Sequence, residues 1–381
     1  MNFPKNLTDK LEIRKKNKSL RLLPKPNDLI DFSSNDYIGF SKSEAIFDAV
    51  HQFLLDHNIK SNGATGSRLI SGNHALYSQT EDYIAKFHQS ESALLFNSGY
   101  DANVGFFSSV PQKGDLILYD ELCHASIRDG IQLSNAKSYK FKHNDFEDLE
   151  RLISKAITDI SQPIIYIATE SVFSMDGDCP NMEELTAVSE KYNCYLVVDE
   201  AHALGVFGDK GEGLIQYLHL QDKIFARIMT FGKGLGCHGA VVLGSSTLKS
   251  YLVNFARSFI YTTGLSPHSV AAVLMGYHHL EKDKQAIETL RENIVFFNQV
   301  IKMLYLNPLF IRSKSAIQSA IVPGNKKVKS IAASLQQNGF DVKAILSPTV
   351  PEGQERLRFC IHSFNSKEEI SSLIACFSSL L

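Results

Sequence analysis

The sequence predicts an α/β fold, with a mainly parallel sheet in a large domain and a smaller α+β domain at the C-terminal end. Short apolar runs rich in β-branched residues alternate with amphipathic stretches, a pattern typical of parallel strands covered by helices. The pattern changes from Ala316 onward, and 381 residues are enough for two domains. We expect an N-terminal helix and short strand over residues 1–40, a large α/β domain over 41–281, and a small domain with its spine helix over 282–381.

The overall composition excludes several classes of protein. A net charge of −2 does not favour binding to nucleic acid or to a membrane surface. The six cysteines include no CxxC pair, which predicts reduced thiols and no zinc site. Residues 1–23 are basic and lack the apolar core of a secretion signal. We therefore expect a cytoplasmic enzyme that has no metal.

The predicted elements of the first half follow one another in regular order. Residues 1–23 predict a basic helix, and Asp31–Tyr37 a short strand and turn. Ser41 and Glu44 have the spacing of a capping box, which opens a helix that ends near Asp56. The other predicted elements are helices at 74–87, 146–157 and 182–191 and strands at 93–96, 116–119, 164–167 and 195–198.

The second half begins with a long helical pattern and ends in a mixed one. Residues from Ser266 to about Leu304 predict the spine helix. Beyond it, apolar runs of strand length alternate with amphipathic stretches. The predicted elements there are strands at 316–322, 340–345 and 356–361 and helices at 328–337 and 367–380.

Two predicted strand ends in the middle of the chain carry the main functional hypothesis. The run Tyr195–Val198 ends at Asp199, and the run Ile228–Phe231 ends in a glycine-flanked lysine, Lys233. Ligands of open α/β sheets bind at the carboxyl ends of strands. A lysine amine forms a Schiff base with an aldehyde, and a carboxylate keeps a pyridine nitrogen protonated. The pair therefore predicts pyridoxal 5'-phosphate as the cofactor.

Two other motifs overlap this region. Asp199–His202 spells the DEAH box of helicases, but the phosphate loop GxxxxGK[ST] that helicases require does not occur in the sequence. Gly234–Gly239 matches the dinucleotide fingerprint GxGxxG, which must open a helix. The run Ala240–Leu243 follows instead and predicts a strand. We therefore reject both interpretations.

A helix is expected to start directly after the strand at 93–96, in the segment Asn97–Tyr100. The free amide groups of a helix N-terminus form an anion site. We therefore expect the phosphate group of the cofactor beside Gly99 and Tyr100.

Several segments together resemble the α-oxoamine synthase family, which belongs to the fold-type I pyridoxal-phosphate-dependent transferases. In chain order they read SSNDYIG, FNSGYDAN, ESVFSMDGD, VVDEAHALGVFG, TFGKGLG, FARSFIYTTGLSP and SPTVPEGQERLR. Each segment is weak alone, but the ordered set spans nearly the whole chain and is highly specific.

The resemblance implies roles for residues around the cofactor. Lys233 would bind it covalently and later move the Cα proton of the amino acid. Asp199 would pair with the pyridine nitrogen, and His202 would hydrogen-bond near the ring oxygen. His124 would stack on the ring and contact the substrate. The other implied cofactor contacts are Gly99, Tyr100, Ser174, Thr230, Thr262 and Thr263, the last two reaching the phosphate of a partner subunit in a homodimer with shared sites.

The resemblance also implies roles in substrate binding. Asn35 and Arg358 would hold the amino-acid carboxylate, Arg358 through a bidentate fork. Thr349 would line the substrate site. Arg21 corresponds to an arginine that receives the far carboxylate of a pimeloyl chain.

The activity implied is a decarboxylative condensation of an amino acid with an acyl thioester. Some segments favour the branch that joins L-alanine to a pimeloyl thioester in biotin biosynthesis, carried by coenzyme A or by acyl carrier protein. Three alternatives stay open at this point. They are condensation of glycine with acetyl-CoA, condensation with a long-chain acyl donor, and a non-catalytic binding module.

Overall fold

A computed structural model describes residues 3–17, 19–23, 25–159 and 163–381. The described chain divides into two compact units. The larger unit contains Asn35–Ser174 and Asp178–Leu290, and the smaller contains the described part of Met1–Ser34 together with Met175–Gly177 and Arg291–Leu381. Among the described residues, no helix combines the length and the apolar character needed to cross a lipid bilayer.

The strands of the described chain are short. They are β1 (Ile30–Asp31), β2 (Ser92–Phe96), β3 (Leu116–Asp120), β4 (Lys137–Phe141), β5 (Ile165–Glu170), β6 (Tyr195–Asp199), β7 (Ala226–Thr230), β8 (Ala240–Gly244), β9 (Ile317–Ile321), β10 (Phe340–Asp341), β11 (Lys343–Ile345) and β12 (Arg356–Cys360).

The α-helices are interleaved with these strands. They are α1 (Lys5–Lys16), α2 (Glu44–Asp56), α3 (Leu76–Phe87), α4 (Gly99–Ser109), α5 (Ala125–Leu133), α6 (Phe146–Asp159), α7 (Met182–Lys191), α8 (Leu214–Tyr217), α9 (Ser246–Phe255), α10 (Arg257–Ile260), α11 (Pro267–Lys282), α12 (Gln285–Met303), α13 (Asn325–Gln337) and α14 (Lys367–Ser379).

The sheet of the larger unit has the strand order β2-β8-β7-β6-β5-β3-β4. Within this sheet, as far as the structure describes it, β8 runs in the direction opposite to the other six strands. Every residue of β5 and of β7 is buried, as expected for strands with helices on both faces. The prediction of a mainly parallel sheet is therefore confirmed.

The strand register places several polar residues at one edge of this sheet. In the parallel pair β5–β6, Glu170 is directly opposite Asp199. In the pair β6–β7, Asp199 is opposite Ile228, two residues before Thr230. Because the carboxyl ends of parallel strands share an edge, these side chains lie where ligands of open α/β sheets bind.

A hydrophobic cluster between the sheet and its helices supports this edge. Each fully buried large apolar side chain contributes about 1.5–3 kcal/mol to folding. The cluster includes Leu94, Phe96, Phe106, Phe107, Ile117, Ile127, Ile131, Val197, Ile228, Val242, Leu248, Leu252 and Phe259.

The smaller unit contains two sheets of its own. Strands β11, β12 and β9 form an antiparallel sheet in that order, and β1 pairs in parallel with β10. Helix α14 begins at a complete capping box, in which Ser366 and Glu369 exchange side-chain-to-backbone hydrogen bonds. All five residues of β12 are buried, although two of them are arginines.

Three predicted elements are corrected by the structure. The basic helix expected over residues 1–23 is limited to α1, which buries no side chain and so gains no packing energy that would extend it. Met1, Asn2 and Lys18 of that range lie outside the described residues. The spine helix is divided into α11 and α12, because the side chain of Asp283 accepts the N–H of Gln285 (3.0 Å) at the break.

The strand expected over 340–345 is also divided, and one strand was missed. β10 pairs with β1, whereas β11 pairs with β12, so neighbouring segments join different sheets. Strand β4 lies at an edge of the large sheet and exposes four of its five residues. Its polar sequence therefore lacks the apolar pattern on which strand prediction depends. The strand predicted at 240–243 is confirmed as β8, which supports rejection of the dinucleotide fingerprint.

Candidate active site

Lys233 belongs to a line of hydrogen bonds in the larger unit. Its Nζ lies 3.0 Å from Nε2 of His202, and Nδ1 of His202 lies 2.6 Å from the hydroxyl of Tyr37. That hydroxyl donates to Oδ1 of Asn35 over 3.1 Å. Because a lysine ammonium group can only donate, the line is satisfied when Lys233 donates to a neutral His202. Lys233 thus contacts His202 directly, and His202 is connected to Asn35 through Tyr37, which was not among the predicted residues.

Asp199 belongs to a second network. It is 6% exposed, and its carboxylate accepts from Nδ2 of Asn103 (2.7 Å) and from the N–H of Ala201 (2.9 Å). Asn103 also donates to Oγ of Ser126 over 3.0 Å. These contacts fix the position of the carboxylate at the end of β6 before any ligand binds.

The second network ends at His124. Nδ1 of its imidazole lies 2.8 Å from Oγ of Ser126 and accepts the N–H of that residue, so His124 caps helix α5. The surrounding protein removes part of the water around the His124 ring. This desolvation and the positive charge of Lys233 lower the pKa of His124, whereas the negative charge of Asp199 acts in the opposite direction. A neutral ring with an acceptor at Nδ1 carries its proton at Nε2.

Two glycines near the site are required by close packing. A Cβ atom at Gly99 would collide with Oγ1 of Thr230, so the start of α4 lies against the end of β7. A Cβ atom at Gly234 would collide with the carbonyl of Leu204. The second glycine of the Gly-Lys-Gly turn therefore allows close contact with the protein's own backbone.

The start of α4 carries the predicted phosphate-binding residues. Ser98 caps the helix by accepting the N–H of Asp101 (3.0 Å), while the amides of Gly99 and Tyr100 have no intrahelical acceptor. Asn97, just before the cap, donates to Oγ1 of Thr262 (3.1 Å) and to the carbonyl of Thr263 (2.6 Å).

The larger unit therefore offers the groups that pyridoxal phosphate requires. It has a primary amine at Lys233, a buried carboxylate at Asp199 and a helix start at Gly99 for an anion. Thr230 is buried next to that helix start, and Ser174 is half-buried in the segment that follows β5. The chemistry of these groups and the close contact of Gly99 with Thr230 fit this cofactor.

The remaining predicted residues belong to the smaller unit. Nη1 of Arg358 lies 2.8 Å from Sγ of Cys360, two residues further along β12. Arg358 is 8% exposed. Both faces of β12 are buried, so Arg358 lies in a buried position although it carries a charge. Nη2 of Arg21 lies 3.5 Å from Oγ1 of Thr349, so two predicted substrate residues that are 328 positions apart meet.

Four residues near the site were missed by sequence reasoning. Tyr37, Asn103, Ser126 and Glu170 all lie within hydrogen-bond distance of predicted residues. Glu170 had a usable signal, since it is an acid that follows the strand predicted at 164–167, much as Asp199 follows the strand predicted at 195–198. Tyr37 lies in the segment SSNDYIG. Asn103 is the last residue of the segment FNSGYDAN, whereas Ser126 lies within α5 and carries no such signal.

Comparisons with known proteins agree with this geometry. The family model described as aminotransferase class I and II matches residues 27–376. The 8-amino-7-oxononanoate synthase of Emericella nidulans is 40% identical over 401 residues, which cover 99% of this chain and 97% of that protein. A putative 8-amino-7-oxononanoate synthase of Halalkalibacterium halodurans is 36% identical, with 92% of this chain and 87% of that protein covered.

Solved structures share the same fold. Serine palmitoyltransferase of Sphingomonas wittichii superposes with a TM-score of 0.85 at 27% identity, covering 92% of this chain and 87% of that one. The 8-amino-7-oxononanoate synthase of Francisella tularensis superposes with a TM-score of 0.77 at 30% identity, covering 93% and 98%. This chain belongs to the class I and II aminotransferase family, and within it to the pyridoxal-phosphate-dependent α-oxoamine synthases.

Proposed function

We propose that this pyridoxal-phosphate-dependent acyltransferase joins L-alanine to a pimeloyl thioester and releases 8-amino-7-oxononanoate, CO2 and a free thiol. The proposal is supported by the similarity to 8-amino-7-oxononanoate synthases along the whole chain. The single structural observation that carries it is the contact of Arg21 with Thr349. A cation at the substrate site is needed by an acyl chain that ends in a carboxylate, but not by one that ends in a methyl group.

Three residues of the larger unit would have different roles at the reacting carbon. Pyridoxal phosphate, when bound, supplies an aldehyde for amines and an electron-withdrawing ring. Asp199 would keep the ring nitrogen protonated, and its bonds to Asn103 and Ala201 hold it in place for this. Lys233, once a neutral amine, would take the Cα proton of alanine. His202, 3.0 Å away, would orient the amine.

Two arginines would bind the charged ends of the substrates. We propose that Arg358 pairs with the carboxylate of alanine, with Cys360 fixing one of its nitrogens. Arg21 would pair with the terminal carboxylate of the pimeloyl chain. An arginine suits both tasks because its planar fork matches a carboxylate.

The proposed enzyme acts as a homodimer with shared sites. Thr263 is exposed and Thr262 half-exposed, next to Tyr261, which is 72% exposed. Their arrangement beside Asn97 supports a contact with the cofactor phosphate of a partner subunit. The oligomeric state follows from this proposal and is measured by light scattering.

A second candidate is condensation with a long-chain acyl donor, which the similarity to serine palmitoyltransferase favours.

The experiment that separates these functions measures thiol release by the purified holoenzyme with three substrate pairs, namely alanine with pimeloyl-CoA, glycine with acetyl-CoA and serine with palmitoyl-CoA. We expect kcat/KM to be at least about 100-fold higher for the first pair, a difference of about 2.8 kcal/mol. Turnover confined to either other pair contradicts the proposal.

Replacing Arg21 tests the acyl-chain assignment. We expect Arg21→Gln to raise KM for pimeloyl-CoA about tenfold, since a hydrogen bond to a charged group contributes about 1.5 kcal/mol. KM for heptanoyl-CoA, which has the same chain length but no terminal carboxylate, should not change. The matched control is Arg14→Gln, which removes an exposed charge from α1. Equal effects on the two donors would contradict the role of Arg21.

A further inference from the structure

The site contains a second buried acid that the proposed chemistry does not use. Glu170 ends β5, is 2% exposed, and is opposite Asp199 in the parallel register. Residues paired in this way on neighbouring strands point to the same face of the sheet, with backbones about 4.8 Å apart. Two carboxyl groups therefore share one buried edge.

The hydrogen bonds of the two acids differ in their partners. Asp199 accepts from Asn103 and from the backbone of Ala201. Oε1 of Glu170 accepts the backbone N–H of His124 over 2.6 Å. His124 is thus held twice, through its backbone by Glu170 and through its imidazole by Ser126, whose hydroxyl also accepts from Asn103.

The surroundings of Glu170 favour its neutral form. Burial and the charge of Asp199 raise the pKa of Glu170 to about 8, with a smaller contribution of the same sign from Asp120. Lys233 and the N–H of His124 act in the opposite direction. Cys123, also buried here, has a raised pKa and adds no charge at neutral pH. Two acids that share a buried site do not both ionise readily.

We propose that Glu170 is a positioning residue of the cofactor site, which keeps one proton at neutral pH so that Asp199 carries the negative charge, and which orients His124 through its backbone N–H. The division of roles follows from the contacts. Asp199 has two donors that stabilise a charge, whereas Glu170 has one and faces Asp199. The proposal concerns the cofactor site and is independent of which acyl donor the enzyme uses.

The first test measures the proton through thermal unfolding of the full-length protein without cofactor. Between the ordinary pKa of about 4.5 and the folded value of about 8, the folded state binds one proton more than the unfolded state. Wild-type stability therefore falls as pH rises through this window. Glu170→Gln carries no such proton, so its Tm relative to wild type should rise by roughly 4 °C between pH 5.5 and pH 8.

The matched control is Glu355→Gln in the smaller unit. Glu355 is also 2% exposed, but its bonds to the N–H groups of Gly324 and Gly353 accompany a lowered pKa. Glu355 is ionised in the folded and in the unfolded state across this pH window. The difference in Tm between Glu355→Gln and the wild type should therefore stay constant with pH. A constant difference for Glu170→Gln as well would overturn the proposal.

The second test measures the positioning of His124 through the affinity for pyridoxal phosphate at pH 7. Glu170→Gln keeps an oxygen that accepts the N–H of His124, and we expect its Kd to remain within about threefold of wild type. Glu170→Ala loses that acceptor, and we expect a Kd at least about tenfold higher. Equal losses in both variants, or no loss in either, would overturn the positioning role. If Glu170→Ala does not fold, the pH dependence of thermal unfolding of Glu170→Gln decides whether the proposal stands.

Discussion

Lys233→Ala is expected to lower the rate of condensation by a factor of at least about 10⁴. On the proposed assignment, the variant loses both the amine that would bind the cofactor covalently and the base that would move the Cα proton. Thiol release measures the rate. Reduction of the holoenzyme with borohydride, followed by mass spectrometry of its peptides, should locate a phosphopyridoxyl group on Lys233 in the wild type.

The control for this experiment is Lys210→Ala. Lys210 pairs with Glu281 over 2.9 Å, and its side chain is 48% exposed, so its loss should leave both the rate and the labelled peptide unchanged. Labelling of any other lysine in the wild type, or turnover by Lys233→Ala within tenfold of wild type, would contradict the assignment of Lys233.

Asp199→Asn is expected to have the next largest effect, a fall in kcat of about 10² to 10³. A neutral amide does not stabilise a protonated ring nitrogen, and removing one charge of a buried pair costs about 3–5 kcal/mol. Exchange of the Cα hydrogen of L-alanine with deuterated solvent isolates this step because it needs no acyl donor. We expect exchange and overall condensation to fall together.

The control here is Asp283→Asn at the exposed break between α11 and α12, which should leave exchange unchanged. Exchange by Asp199→Asn at the wild-type rate, with condensation alone impaired, would place Asp199 in a later step. Cofactor content measured for each variant separates slow chemistry from loss of cofactor.

The elements that sequence reasoning predicted best are interior strands of the large sheet, in which most residues are buried. Strands β6, β7 and β8 lie in the middle of the sheet, and their continuous apolar runs are visible without a structure. Lys233 and Asp199 could be proposed from the sequence because they closely follow such runs. Edge strand β4 and the limits of α1 depend on weak local preferences, for which single residues carry little information.

The hydrogen-bond partners of the proposed site residues could not be predicted, because they are distant from them in the sequence. Asn103 and Asp199 are separated by 96 positions, and Arg21 and Thr349 by 328. No periodicity connects such residues. Glu170 could be recognised as an acid at a strand end, but its position beside Asp199 depends on the pairing register of β5 and β6.

The sequence by itself determined the α/β class of the larger unit, the pyridoxal-phosphate cofactor and the family, because each depends on local patterns or short ordered segments. Tertiary structure alone decided which side chains meet. It brought Tyr37 between Asn35 and His202, and placed Glu170 opposite Asp199. The physical reason is that strand register and helix packing depend on how the whole core packs, and the protonation of a buried acid depends on neighbours that are distant in the chain. Neither is contained in a local sequence pattern.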